Sequence, residues 1–216
     1  MKKAFVLVAV LAVSPALADP VIWDNGMTYS SGYSSQLDTV YPFESRVADD
    51  FILQPNANII TDVHWLGVYW NPGPPSNVTA FNIYFYADNG TGNAPTQPGT
   101  EIASYTIPFG SVNEFDTGGG IYSYDVVLPT PLALAPGVKH WITIQSVNNF
   151  PPQWGWAVHE GIQLHEAVQG FPLLGLPYWS DPVPGEYDAA FQLTGIPEPA
   201  TLALLGLGLL GLIRRR

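Results

Sequence analysis

The stretch TAFNIYFYADNG, residues 79–90, decides between helix and strand. Phe81, Ile83, Phe85 and Ala87 recur at every second position, so they line one face of a strand, whereas on a helix they would scatter around the axis. Asp88-Asn89-Gly90 then supplies a tight turn. YDAAFQLT, residues 187–194, repeats the pattern, with Tyr187, Ala189, Phe191 and Leu193 on one face and Asp188, Gln192 and Thr194 opposite. Similar short runs at 21–24, 47–53, 60–70, 101–107, 122–128, 138–147, 153–158 and 164–168 give ten expected strands in all. Turn chemistry separates them: Asn71-Pro72-Gly73-Pro74-Pro75, Gln97-Pro98-Gly99, Thr117-Gly118-Gly119-Gly120 and Ala135-Pro136-Gly137. No long amphipathic helix and no repeat of fixed period interrupts this alternation. The expected fold is all-β, a single antiparallel, jelly-roll-like β-sandwich over residues 19–195.

The two ends read differently. Met1-Lys2-Lys3 is basic, residues 4–17 are apolar apart from Ser14 and Pro15, and Ala16-Leu17-Ala18 places the small residues of a signal peptidase site at Ala16 and Ala18. Those fourteen residues are shorter than the ~20 of a spanning helix, so residues 1–18 are expected to be a cleaved signal peptide. Residues 200–213 form a second apolar run, about 21 Å long as a helix, with leucines pointing all round and no polar face left for water. Arg214, Arg215 and Arg216 follow, which fits the cytoplasmic edge of a membrane with the domain outside. Before the run, Pro197-Glu198-Pro199 pushes Ile196 and Glu198 towards the extended geometry in which a processing enzyme reads a chain.

The order Pro197-Glu198-Pro199, apolar segment, Arg214-Arg215-Arg216 resembles the PEP-CTERM sorting signal. That resemblance implies an exosortase substrate of a Gram-negative bacterium, an intermediate anchored in the inner membrane, and delivery to the cell surface or the extracellular polysaccharide matrix. Signal peptidase and exosortase would be its processing enzymes. The region between the ends is similar to a module of other PEP-CTERM proteins, through Trp23-Asp24-Asn25-Gly26, Ala48-Asp49-Asp50-Phe51, residues 81–88 with Pro98-Gly99, Trp141-Ile142-Thr143-Ile144, Trp154-Gly155-Trp156 and Asp188-Ala189-Ala190-Phe191. This similarity implies one domain and no particular activity.

Charge narrows the partners. Of seven Lys and Arg, five lie in the end segments, leaving Arg46 and Lys139; of eighteen Asp and Glu, only Glu198 does. Residues 19–195 therefore carry seventeen acids against two bases, a net of −15. Such a surface repels nucleic acid and anionic polysaccharide unless divalent cations bridge them, and favours cations or neutral glycans. Cys is absent, so the fold rests on packing alone.

Few residues point to chemistry. His159-Glu160 and His165-Glu166 suggest zinc, but the histidines are six apart where a zincin helix needs four, and they are expected to be surface residues flanking a strand. Asp88-Asn89-Gly90-Thr91-Gly92-Asn93 offers hard oxygens to Ca2+, with Asp49, Asp50, Glu114 or Asp116 able to add carboxylates, yet its glycines stand where an EF-hand needs ligands. No cofactor is expected, with Ca2+ kept as the alternative. No nucleophile elbow, phosphate loop or cysteine is present, and no catalytic residue is assigned. The tryptophans carry the most specific binding expectation: Trp65 and Trp141 belong to the core, while Trp154, Trp156 and Trp179 are candidates for stacking on sugar rings. Three functions follow in order: a non-enzymatic structural or adhesive surface module, a carbohydrate-binding module for matrix polysaccharide, and a secreted hydrolase.

Overall fold

A computed structural model describes residues 19–71, 77–90, 96–174, 179 and 187–196. The expected signal peptide (1–18), the sorting triplet with its apolar segment and arginines (197–216), and parts of the turns at 72–75 and 91–93 lie outside the described residues. Among the described residues fourteen strands form in the order β1 (Val21–Asp24), β2 (Ser31–Ser34), β3 (Gln36–Asp38), β4 (Arg46–Ile52), β5 (Ile59–Trp70), β6 (Ala80–Asp88), β7 (Pro98–Pro108), β8 (Asn113–Gly118), β9 (Ile121–Ala133), β10 (Lys139–Asn148), β11 (Gln153–Glu160), β12 (Val168–Gly170), β13 (Tyr187–Ala189) and β14 (Phe191–Ile196). Among the described residues no helix is long and apolar enough to cross a membrane.

The strands make two sheets. In the first, β9 joins β8 to one edge of β5, while β14 and β11 share the other edge; β1 extends β14, and β2 and β13 flank β11. In the second the order is β12-β4-β10-β6-β7, with β3 added in parallel to the end of β10. All other pairings are antiparallel, as the alternating pattern requires. Phe81, Ile83 and Phe85 of β6 point inward with Ile142 and Ile144 of β10, and meet Val63, Trp65, Tyr124, Phe191 and Leu193 of the opposite sheet. Trp65 stacks on Tyr124 at 5.1 Å, and Phe81 meets both rings edge-on. Trp141 lies in a smaller buried cluster on the other face of the second sheet.

Several local expectations change. The strand expected at 187–194 is two strands, because Ala190 changes partners: its N–H bonds Ala157 O at 2.9 Å and its carbonyl accepts Leu66 N at 3.1 Å, so the chain passes from β11 to β5 there. Of the run 164–168 only Val168 is strand; the rest is a loop pinned by carboxylates described below. Pro98-Gly99, read as a turn, opens β7. Three strands, β2, β3 and β8, have no apolar alternation of their own and exist through their partners' hydrogen bonds.

Candidate functional site

Trp154 and Trp156 cannot stack on a sugar, because both are fully buried. They share one face of β11, as their spacing requires, but that face is the core. Each indole N–H finds an internal acceptor, Tyr124 Oη at 3.1 Å and Ala190 O at 3.2 Å, so burial leaves neither unpaired. Tyr124 passes the first interaction on to Tyr69 Oη at 3.3 Å, and Tyr69 donates to Glu114 Oε2 at 2.7 Å.

Trp179 is placed otherwise. It packs edge-on against Tyr86 at 6.0 Å, beside a groove of about 370 Å³ lined by Arg46, Tyr86, Asn89, Gln97, Glu101 and Trp179 among others. Alternation on β6 puts Tyr84 and Tyr86 on the outer face of the second sheet, where their rings stack at 6.1 Å. Arg46 of β4 lies over the Tyr84 ring at 4.3 Å, donates to Tyr86 Oη at 3.2 Å, and pairs with Glu44 Oε1 at 2.7 Å. Amides, a carboxylate and an aromatic wall therefore converge on one open groove. Arg46 went unassigned in the sequence, although its being one of two basic residues outside the end segments was a usable signal.

Acidic residues gather separately at the junction of the two sheets. Asp49 of β4 is completely buried; its Oδ2 accepts Asn25 Nδ2 at 2.9 Å and the Ala189 N–H, and its Oδ1 accepts Asp50 N at 2.7 Å. Burial, with Asp188 and then Asp50 nearby, holds the Asp49 carboxyl well above the ordinary carboxylate range. Asp188 is pushed up to about 6, chiefly by burial, with the Gln163 N–H at 2.7 Å pulling the other way. Its Oδ1 is buried without a hydrogen-bond partner among the described residues. Asp50 is also raised by burial, against which the Lys139 ammonium at 2.7 Å and the His165 N–H act. The cluster thus ties β4, β13 and the loop after β11 together.

The metal candidates are otherwise engaged. His159, expected at the surface, is buried, with Nε2 against Asn25 O and Nδ1 at 2.9 Å from Glu160 O; His165 Nδ1 sits 2.9 Å from Glu166 O. The Asp88 oxygens accept Trp141 Nε1 at 2.8 Å and Gly90 N at 3.2 Å, and Asp116 accepts Gly118 N at 2.7 Å. Among the described residues no group of three or more His, Cys, Asp or Glu side chains is arranged to hold a metal ion. One further arrangement escaped the sequence: Asp125 Oδ1 lies 2.6 Å from His64 Nδ1, whose Nε2 is 3.3 Å from Thr194 Oγ1. The order resembles a nucleophilic triad, but it crosses β9, β5 and β14 as neighbouring strands, and Thr194 is only 9% exposed. Spread over three neighbouring strands, the three side chains form a cross-strand polar ladder.

Comparison with known families matches residues 18–194 to a domain of unknown function (DUF7901) and residues 195–216 to the PEP-CTERM protein-sorting motif. No curated protein and no solved structure matches the chain.

Proposed function

We propose, for a chain that belongs to the DUF7901 domain family and closes in a PEP-CTERM sorting motif, that the sandwich is a non-enzymatic structural or adhesive module displayed at the surface or in the matrix of a Gram-negative cell. The motif makes the protein an exported, membrane-transiting exosortase substrate. The observation that carries the proposal is the position of β14, the last described strand, relative to the motif. Strand β14 pairs with β5 through Ile196↔Ile59, immediately before Pro197, so processing within the motif would leave every core strand in place. In this reading signal peptidase cuts after Ala18, residues 200–213 hold the intermediate in the inner membrane, Arg214, Arg215 and Arg216 stay cytoplasmic, and Pro197-Glu198-Pro199 is the recognised segment. A non-catalytic role is supported by the enclosure of Asp49 and Asp188, whose carboxyls converge inside the protein and not on an open cleft. Intact mass of the surface-released protein tests it: the expected mass begins at Asp19 and lacks residues 200–216, and replacement of Pro197, Glu198 and Pro199 by Ala should retain them in the membrane fraction. A released protein that keeps residues 200–216 would overturn the processing reading.

A second reading, carbohydrate binding, is favoured by the groove beside Trp179. An aromatic wall with Asn89, Gln97 and Glu101 can stack on a sugar ring and bond its hydroxyls, and the acidic surface directs the choice to neutral glycans. A glycan array with the exported protein and its Trp179→Ala variant separates the two readings. Binding lost in the variant supports the second, and an array with no neutral glycan bound removes it.

A further inference from the structure

We infer that a cleft lined by Gln36, Asp38, Tyr41, Phe43, Phe150 and Gln153 is a site for a small methylated ammonium ion. Its volume is about 250 Å³. Tyr41 and Phe43 come from the connection between β3 and β4, and Phe150 from the connection between β10 and β11. The Tyr41 and Phe150 rings stand 6.4 Å apart at 70°, forming an open corner, and they are 56% and 42% exposed.

One carboxylate holds this corner. Asp38 Oδ1 accepts the N–H groups of Val40 and Tyr41, both at 2.7 Å, and Oδ2 accepts Phe150 N at 2.9 Å, so both ring-bearing connections hang on the same side chain. Asp38 N donates to Phe43 O at 3.0 Å, and Thr39 N to Asn148 O at 3.2 Å. Rings held in place before a ligand arrives cost little ordering entropy on binding. The exposed part of each ring borders the cleft, where a ligand can reach it.

The chemistry of the lining selects the class. Ring faces carry negative potential and attract cations; the lining adds the Asp38 carboxylate and, among the described residues, contains no Lys, Arg or His. The two bases of residues 19–195 lie elsewhere, Arg46 against Glu44 and Lys139 against Asp50. A sugar fits less well, because the polar floor is already engaged. Gln36 Oε1 accepts Trp154 N at 2.8 Å, Gln36 Nε2 reaches Asp38 at 3.5 Å, and Gln153 Nε2 donates to Ser34 Oγ at 2.9 Å. A hard metal ion would have to exchange its water for ring carbons. A trimethylammonium group, weakly hydrated and apolar at its rim, suits both walls and floor.

Calorimetric titration of the exported protein with choline, with tetramethylammonium, and with 3,3-dimethyl-1-butanol, the uncharged carbon analogue of choline, tests the site. The cations should bind saturably, choline at least fivefold more tightly than the uncharged analogue. Tyr41→Leu and Phe150→Leu should each weaken choline about fivefold, the worth of one partly desolvated ring, without moving the thermal midpoint. Equal affinity for the uncharged analogue, no saturable binding of either cation, unchanged affinity in both Leu variants, or competition by glucose would overturn the inference. Co-sedimentation with phosphatidylcholine vesicles, alongside choline binding, would assign the ammonium to a lipid headgroup; choline binding without it would assign a free solute.

Discussion

The carboxamide of Asn25 donates to Asp49 Oδ2 at 2.9 Å and to Ala189 O at 3.0 Å, joining the segment after β1 to a strand of each sheet. Three short segments far apart in sequence, around residues 25, 49 and 189, therefore meet at one point. Asn25→Ala would leave a buried carboxyl and a buried carbonyl each short of a donor. The expected cost is about 1–3 kcal/mol, read as a lower urea midpoint with an unchanged slope.

Stability should also fall as pH rises through the Asp188 region. Its folded pKa of about 6 lies above the ordinary value of 3.8, so the folded state holds the proton more tightly than the unfolded chain. The resulting stabilisation is complete below about 3.8 and is lost as pH passes through about 6, with Asp49 shifted in the same direction. Asp188→Asn should remove on the order of 1 kcal/mol of the difference between pH 5 and pH 8, the part of the linkage that lies above pH 5. Paired urea titrations at those two pH values check it, and an equally steep loss in the variant would refute the assignment.

Arg46 combines a ring face, a phenol and a carboxylate, a geometry that a planar guanidinium meets and an ammonium does not. Arg46→Lys keeps the charge and should still destabilise by about 1 kcal/mol. Thermal unfolding at low and high salt would separate the two contributions: a deficit that persists in high salt belongs to the stacking.

Gly67 makes room for Trp154. A Cβ built at Gly67 would sit 2.6 Å from Cζ2 of that indole, which is buried on all sides and cannot retreat. Gly67→Ala should cost about 1–3 kcal/mol by overpacking. Trp154→Ala should cost about 3–5 kcal/mol through the cavity it leaves. In the native protein, acrylamide should quench neither Trp154 nor Trp156, which single-tryptophan variants would report.

The sandwich was legible because the alternating residues of β6 and β14 bury one face each, and a period of two admits no other regular structure. Strands such as Ser31–Ser34 and Asn113–Gly118 were not, since their residues carry no apolar face and their backbone is paired by β11 and β9. Trp154 and Trp156, flanked by Gln153 and a proline-rich connection, fit core and surface equally well in the sequence. Gly67 on the neighbouring strand and the acceptors Tyr124 and Ala190 are what allow them inside.

Composition and order of residues alone established the acidic balance, the all-β class and the sorting tail, because charge, period and linear motifs are properties of the chain itself. Tertiary structure alone decided which acids are buried, which tryptophan borders a groove, and which rings share a cleft. Asp49, Asp188 and Asn25, or Tyr41 and Phe150, are strangers along the chain; only folding sets the distances on which their desolvation and mutual attraction depend.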